Sequence, residues 1–217
     1  MTGFEDAAFF SKLTSQQQEQ VRSAVRIHSF SAGKEVYRGD CAGLILVKKG
    51  RLRVFTLSKE GREITLYRLM QGDICLLSAS CMLTGISFDV FIRAETDTEI
   101  ILLPSEVYKS LSQSSIAVAS FTSELMGKRF SSAMWVLDEV LNKKFDARLA
   151  SLLLEEAEYS GNKLLKITHE QLASHLGTVR EAVSRMLKYF EEEGIVSLSR
   201  GTVELTDLDA LRSLADE

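Results

Sequence analysis

Between residues 27 and 103 the hydrophobic positions fall in short runs of β-branched and aromatic residues, a pattern typical of strands. Five runs stand out, at 44–47, 51–55, 64–67, 88–92 and 99–103. Glycines separate them at intervals suited to turns, and no helical pattern lies between them. We therefore predict an antiparallel sandwich or barrel in the N-terminal half of the chain.

Helical spacing replaces the strand pattern on either side of this region. A short helical element is predicted at 9–25, a helix after Pro104 at 106–111, and a long helix at 114–141. The long helix carries two neighbouring apolar stripes that together cover more than half of its circumference. Two partners explain this width: the chain's own sheet domain and the same helix of a second subunit. A fully buried core helix is the alternative.

The predicted dimer-helix positions are the first stripe and polar residues that interrupt the apolar surface: Val118, Phe121, Leu125, Arg129, Ser132, Val136 and Val140. The second stripe is Met126, Phe130, Met134, Leu137 and Leu141. Polar residues within such a surface can set the register of a helix pair.

Residues 168–194 predict two short helices joined by a tight turn. Thr168 with Gln171 forms one capping-box pattern, and Thr178 with Glu181 forms a second. Gly177 lies between the helices, where a left-handed residue lets the chain turn sharply. Apolar and polar residues alternate in 195–199 and again in 202–205, and an X-Gly pair separates the two segments. This pattern indicates a hairpin. A helix at 145–159 and a short strand at 164–167 come before these elements. The order helix, strand, two helices and hairpin predicts a winged helix-turn-helix.

The second of these helices separates its side chains into two faces. One face is apolar: Val179, Val183, Met186, Leu187 and Phe190. The opposite face is polar: Arg180, Glu181, Ser184, Arg185 and Lys188. The apolar face can pack, and the polar face holds the residue types that hydrogen-bond to base edges and phosphates.

The residues 178–185, TVREAVSR, resemble the recognition helix of the Crp/Fnr superfamily of bacterial transcription regulators. Within them, Glu181-x-x-Ser184-Arg185 is similar to the fumarate-nitrate-reductase-regulator type, whereas the cyclic-AMP-receptor type has glycine at the serine position. The order GRL at 50–52, EGRE at 60–63 and QGD at 71–73 resembles the cyclic-nucleotide-binding β-roll of this superfamily. The resemblance implies an α+β protein with an N-terminal β-roll (an antiparallel jelly roll), a long dimerisation helix and a C-terminal winged helix-turn-helix.

The resemblance further implies a homodimer that binds palindromic double-stranded DNA with a TTGA-like half-site and works with RNA polymerase. Two recognition helices would then lie roughly 34 Å apart. From their chemistry, Arg185 suits guanine, Glu181 suits a cytosine amine and can orient Arg185, and Ser184 suits a base or thymine methyl. The complete set of predicted DNA-binding residues is Thr178, Arg180, Glu181, Ser184, Arg185, Lys188, Thr168, Gln171 and Arg200.

The predicted effector pocket lies in the stretch 73–88, which contains neither glutamate nor arginine. Its residues are Cys75, Leu76, Leu77, Ser78, Cys81, Ser87 and Phe88. A buried phosphate needs a charged or multiply hydrogen-bonded partner, so cyclic AMP is not expected. An iron–sulfur cluster is not expected either, because the N-terminal cysteine group is absent. The cysteines leave a thiol redox switch, a haem thiolate or simple burial as alternatives.

Charge and composition limit the function further. Of 217 residues, the part from Lys144 onward holds 9 Lys and Arg against 14 Asp and Glu, so DNA binding would depend on local positive charge. No run of about 18 apolar residues and no signal peptide is recognised, and three cysteines without zinc spacing suit the cytoplasm. Three histidines and no nucleophile, Walker or Rossmann motif argue against an enzyme and a metal site.

We therefore predict three parts: a sensor domain at 1–112, the dimerisation helix and hinge at 113–143, and the DNA-binding domain at 144–217. An unidentified effector or redox signal at the β-roll would control DNA binding. The alternative function is a ligand-binding regulatory module that does not act through DNA.

Overall fold

The computed structural model describes residues 3–38, 42–82 and 89–216. The chain forms two compact units, the first made of Met1–Thr56 with Leu66–Ala133 and the second of Leu57–Thr65 with Met134–Glu217. No helix within the described ranges is both long enough and apolar enough to cross a lipid bilayer.

The N-terminal unit is built on two four-stranded antiparallel sheets with strand orders β1-β8-β3-β6 and β2-β7-β4-β5. Its strands are β1 (Arg26–Phe30), β2 (Glu35–Arg38), β3 (Gly43–Lys49), β4 (Leu52–Leu57), β5 (Glu63–Leu69), β6 (Ile74–Cys75), β7 (Phe91–Ala94) and β8 (Thr98–Pro104). Its helices are α1 (Ser15–Ala24), α2 (Ser105–Ser114) and the first part of α3 (Ile116–Asn142).

Strand β3 explains why the sequence shows continuous apolar runs here instead of strict alternation. Ile45 and Val47 belong to the core between the two sheets, together with Val54 of β4. Leu44 and Leu46 face the other way, into a second core formed with the helices. A strand covered on both faces needs apolar residues at every position.

The predicted β-roll is confirmed. Four of the five predicted runs overlap β3, β4, β5 and β8. The fifth run, 88–92, overlaps β7, although its first residue lies outside the described part. The long helix is confirmed with bounds shifted by one or two residues, because Ser115 adopts an extended conformation between α2 and α3. Short strands β1, β2 and β6 were not predicted.

The residues of the predicted dimer face on α3 have different surroundings. Val118 and Leu125 are fully or almost fully buried in the chain's own helix–sheet core, and Phe121 packs against it. Arg129 points the same way, since its Nη2 donates to the Ile74 carbonyl at 2.9 Å. Val118 and Leu125 are therefore taken up by the chain's own core, whereas Phe121 and Arg129 are half-buried and keep part of their surface. Of the other three, Val140 is exposed and Val136 and Ser132 are half-buried. The dimer face itself stays a prediction.

The exposed apolar surface in the C-terminal half of α3 combines four residues of the second stripe with Trp135 and with Val140 of the first stripe. Its members are Phe130 (68% exposed), Met134, Trp135, Leu137, Val140 and Leu141 (71% exposed). Val118, Phe121, Leu125 and Met126 belong to the core of the N-terminal unit or pack against it, so this exposed surface is the part of α3 left without a partner in the described part of the chain.

The C-terminal unit contains four helices and a three-stranded sheet of order β10-β11-β9. Its elements are α4 (Phe145–Ser160), β9 (Leu164–Leu165), α5 (His169–Leu176), α6 (Arg180–Glu192), β10 (Val196–Ser199), β11 (Thr202–Leu205) and α7 (Leu208–Ala215). One apolar core joins all four helices to the hairpin. The winged helix-turn-helix is confirmed, whereas α7, begun by Asp207 as N-cap, was not predicted.

Candidate functional site

Local sequence signals form the turn between α5 and α6. Thr168 caps α5 by accepting from the Gln171 main-chain nitrogen, and the Gln171 side chain accepts from the Thr168 main-chain nitrogen at 2.8 Å. At the other end Gly177 has φ +68°, which a side chain would strain, and its N–H donates to the Ala173 carbonyl. The first predicted capping box and the predicted glycine turn are confirmed.

The second predicted capping box is wrong. The N-cap of α6 is Val179, without a side-chain cap, and the helix begins at Arg180. Thr178 is still part of the preceding turn, because its N–H donates to the Ala173 carbonyl at 3.0 Å. One further extended residue is needed before α6 can begin, and this residue is Val179.

The inner face of α6 anchors the helix. Val183, Leu187 and Phe190 are fully buried in the C-terminal core, and Met186 packs against it. Each of the three buried side chains contributes about 1.5–3 kcal/mol of burial free energy, enough to hold the helix in one rotation. Val179, predicted for the same face, is 43% exposed because it lies before the first turn.

The outer face of α6 is polar and exposed. Arg180, Glu181, Arg185 and Lys188 are all exposed, and Ser184 is half-buried. Lys188 lies 4.0 Å from Glu192. Among the described residues, no ion pair or hydrogen bond holds the Arg185 guanidinium. Arg185 borders an open cleft of about 370 Å³ that Asp146 and Tyr189 also line.

The predicted contact between Glu181 and Arg185 does not form in the described structure, since no ion pair joins the two side chains. Both groups are exposed, and an exposed pair one turn apart on a helix contributes only about 0.3–0.5 kcal/mol. Both side chains thus remain available to a ligand with donors and acceptors of its own.

Three further predicted residues lie around this face on other elements. Thr168 and Gln171 are exposed but engage each other in the cap of α5. Arg200 is exposed at the turn between β10 and β11, beside Gly201 with φ +75°. The unit therefore places positive charge both on α6 and at the tip of its hairpin.

One polar contact on this surface was missed by the sequence analysis. His169, the first residue of α5, lies with its Nδ1 2.8 Å from Ser184 Oγ. Burial and the positive charge of Arg180 lower the pKa of His169. The two residues are 15 positions apart on different helices, so only the crossing geometry of α5 and α6 brings them together.

The predicted effector pocket lies within the β-roll interior where the structure describes it. Cys75, Leu76, Leu77 and Ser78 are all buried. Ser78 donates to the carbonyls of Gly43, at 2.6 Å, and Cys75, at 3.0 Å. Burial raises the pKa of the Cys75 thiol. Ser87 and Phe88 lie outside the described residues, as does the side chain of Cys81.

A cation reaches this region from α3, which sequence reasoning did not foresee. The Arg129 guanidinium lies 4.3 Å from the Tyr67 ring centroid, and its Nε is buried without a hydrogen-bond partner among the described residues. The Tyr67 hydroxyl lies 4.0 Å from Cys75 Sγ, and burial raises the Tyr67 pKa well above its usual value. A charged residue within an apolar stripe was the available signal, and it was interpreted as part of a helix pair.

Comparisons with known proteins agree with this geometry. Residues 147–214 match the family of Crp-like helix-turn-helix domains, and residues 27–115 match the cyclic nucleotide-binding domain. The chain is 33% identical to a cyclic AMP receptor protein of Thermus thermophilus over 188 residues, which cover 86% of each chain. It is 28% identical to the transcriptional regulator SdrP of the same organism over 211 residues, covering 91% of this chain and 96% of the relative.

A solved structure is more similar still. It is a crystal structure described as a transcriptional regulator of the Crp/Fnr family from Eubacterium rectale. Its sequence is 45% identical, the TM-score is 0.94, and the match covers 96% of this chain and 98% of that one.

Proposed function

Because the chain belongs to the Crp/Fnr family of transcriptional regulators, we propose that it binds palindromic operator DNA as a homodimer under the control of an effector. The observation that carries this proposal is the outer face of α6. It is polar, exposed and held in a fixed rotation by three fully buried residues on the inner face. A recognition helix in the major groove needs this combination.

The DNA-reading roles follow from donors and acceptors. Arg185 donates two hydrogen bonds to guanine O6 and N7, and Glu181 accepts from a cytosine amine. Arg180 and Lys188 neutralise phosphates, as does Arg200 at the hairpin tip. The Thr178 hydroxyl and the Gln171 side-chain amide can donate to the DNA backbone near the helix starts, and Thr168, which caps α5, is proposed as a further backbone contact. The expected half-site is TTGA-like, as the family relation implies.

The exposed apolar stripe of α3 supports the homodimer. Phe130, Met134, Leu137 and Leu141 are spaced by three or four residues, so they line one side of the helix. Such a stripe suits the same stripe of a second copy in a two-fold pair. Two recognition helices related by that symmetry match a palindrome.

The effector is proposed to act at the β-roll, and we propose that it is not cyclic AMP, although one relative carries that name. The stretch 73–88 offers neither glutamate nor arginine, and the Ser78 hydroxyl is already hydrogen-bonded to two carbonyls. Within the stretch itself, the described residues therefore offer a cyclic phosphate no charged partner, and the Arg129 guanidinium nearby already donates to the Ile74 carbonyl and lies over the Tyr67 ring. A change at this interior would act through α3, whose first part packs on the roll.

From the family relation alone, we further propose that the protein works in the cytoplasm and that RNA polymerase is its protein partner. The rival function is a regulatory module that never contacts DNA, and the experiment must separate the two.

The test is selection of bound duplexes from a random DNA pool by the purified full chain. We expect a TTGA-like palindrome from the wild type. Arg185→Ala should lose the preference at one base pair of each half-site, about 1–3 kcal/mol for each contact. The matched control is Arg212→Ala, which removes an exposed arginine of the same unit that pairs with Asp209 on α7. Recovery of no sequence by the wild type, or an unchanged sequence with Arg185→Ala, contradicts the proposal.

A further inference from the structure

The contact between His169 and Ser184 joins the first helix of the helix-turn-helix to the recognition helix. Ser184 lies on the polar face of α6, between Arg180 and Lys188 at one-turn spacing. Its hydroxyl lies 2.8 Å from the His169 Nδ1, a normal hydrogen-bond distance. A serine on a free helix surface can rotate its hydroxyl to suit any partner. The Ser184 hydroxyl instead already has one hydrogen-bond partner, His169.

The direction of this hydrogen bond decides what Ser184 offers to a base. When Nδ1 carries no proton, it accepts the hydroxyl hydrogen, and Ser184 Oγ presents only lone pairs to the groove. When the imidazole is protonated, Nδ1–H donates to Oγ, and the hydroxyl hydrogen becomes free to point at a base. The same side chain is thus an acceptor in the first state and a donor in the second.

We propose that His169 is a positioning residue for sequence readout, and that its protonation state selects which bases Ser184 prefers. This inference rests on the proposed function, namely that the outer face of α6 reads DNA. With neutral His169 in the Nε2–H tautomer, which leaves Nδ1 as the acceptor, Ser184 favours the amine-bearing edges of adenine and cytosine. With protonated His169, it favours the acceptors of guanine and thymine.

The charges around the pair set the pH range. The charged side chains within four residues of His169 or Ser184 are Lys166 before α5, Glu170 on α5, and Arg180, Glu181, Arg185 and Lys188 on α6. Helix α4 also packs on α5, but its Arg148 donates to the Leu176 carbonyl at the opposite end of α5. Burial first, and then Arg180, lower the His169 pKa. In the protein without DNA, the imidazole is therefore neutral at neutral pH and becomes protonated only under acid conditions.

The experiment measures affinities for a duplex series that carries each of the four base pairs at every position of the selected half-site. The full chain is tested at about pH 5.5 and about pH 8, on either side of the ordinary histidine pKa. We expect relative affinities at one position to change by roughly 2- to 10-fold between the two pH values, the size of one hydrogen bond. At the other positions, acid should change affinity equally for all bases.

Two variants and one control separate positioning from general effects. His169→Gln cannot be protonated, so it should abolish the pH-dependent change while leaving sequence-selective binding. Ser184→Ala should abolish both that change and the preference at that position, and adding His169→Gln to it should have no further effect on base preference. His175→Gln, at the other histidine of α5, should leave the pH-dependent change intact. Urea unfolding of each variant checks that the unit remains folded.

The inference is overturned if the wild type keeps the same base preference at both pH values, or if His169→Gln shows the same change as the wild type. It is also overturned if His169→Gln weakens all duplexes equally and without dependence on Ser184, because His169 would then be a phosphate contact. In each of these cases sequence-selective binding remains, so the proposed function survives. Absence of any selected sequence instead overturns the proposed function itself.

Discussion

Two sets of arginines in the chain have opposite surroundings. In the N-terminal unit, Arg51 and Arg68 are largely buried and paired: Glu95 lies between them, with Oε2 2.6 Å and 3.2 Å from their Nε atoms. The C-terminal unit leaves Arg180 and Arg185 exposed on α6. A buried arginine whose charge is already neutralised serves the fold, whereas an exposed one can bind a ligand.

The difference separates chemistry that stabilises from chemistry that recognises. In the β-roll, Arg53 is 4% exposed and its guanidinium lies over the Phe55 ring at 4.5 Å, so its charge is withdrawn from water. On α6 the energy of folding comes from the inner face alone. Substitution of the buried charged residues of the β-roll should therefore mainly reduce the free energy of unfolding. Substitution of the exposed arginines of α6 should mainly reduce affinity for DNA.

The largest expected effect is on the buried ion pairs. Glu95→Ala leaves the Arg68 guanidinium, whose side chain is 3% exposed, without its carboxylate, and Arg51 is deprived of the same partner. We expect the free energy of unfolding to fall by about 3–5 kcal/mol, because removing one partner of a buried ion pair is strongly destabilising. Urea unfolding of the full chain measures this change.

The matched control for that prediction is Glu99→Ala. Glu99 forms an ion pair with Lys48 in which both side chains are about one-third exposed. Its removal should cost no more than about 1 kcal/mol, because water screens such pairs. Equal losses of stability in the two variants would show that burial does not distinguish them.

A second prediction concerns the buried thiol. Cys75 is completely buried, and this burial raises the thiol pKa. Alkylation of Cys75 in the native protein should therefore be slow, roughly 100-fold slower than in urea, because it requires an opening that costs about 3 kcal/mol. The rate should rise only at a higher pH than for a free cysteine, since the thiolate forms later.

Peptide mapping by mass spectrometry after timed alkylation resolves Cys75 from the other two cysteines. Rapid labelling of native Cys75 would contradict the assignment of a purely structural thiol. It would favour the thiol redox switch at the β-roll that the sequence left open.

The C-terminal unit could be predicted from sequence almost completely, because its signals are local. Thr168 and Gln171 are three residues apart, and the stripe of Val183, Leu187 and Phe190 repeats within one helix. The second capping box, predicted at Thr178, shows the limit of local signals. The Thr178 N–H donates to the Ala173 carbonyl, and the N-cap of α6 lies one residue later, at Val179.

The chemistry of the N-terminal unit could not be predicted in the same way. Its strand runs were recognisable, but Arg51, Arg68 and Glu95 come from three separate parts of the chain and meet only through the register of paired strands. The same limit applies to Arg129, whose charge within an apolar stripe gave no indication of whether it faced the roll or a second subunit. The pairing of strands that are distant in sequence decides which polar groups become buried. That pairing cannot be read from the local pattern of a single sequence.

The third prediction tests the exposed side of the comparison with the smallest change. Arg180→Gln removes a charge at the first position of α6 and should weaken binding to all duplexes to a similar degree. The slope of log affinity against log salt should become shallower by about 0.9 for each phosphate that the variant no longer neutralises. Stability should change by less than about 0.5 kcal/mol, since the side chain is exposed.

The control for this prediction is Arg212→Gln, which removes the same charge from α7 and should leave the salt slope unchanged. If Arg180→Gln instead abolished the preference at a single base pair without altering the slope, Arg180 would be a base-reading residue. Because Arg180 also lowers the His169 pKa, Arg180→Gln should move the pH-dependent change in base preference towards higher pH.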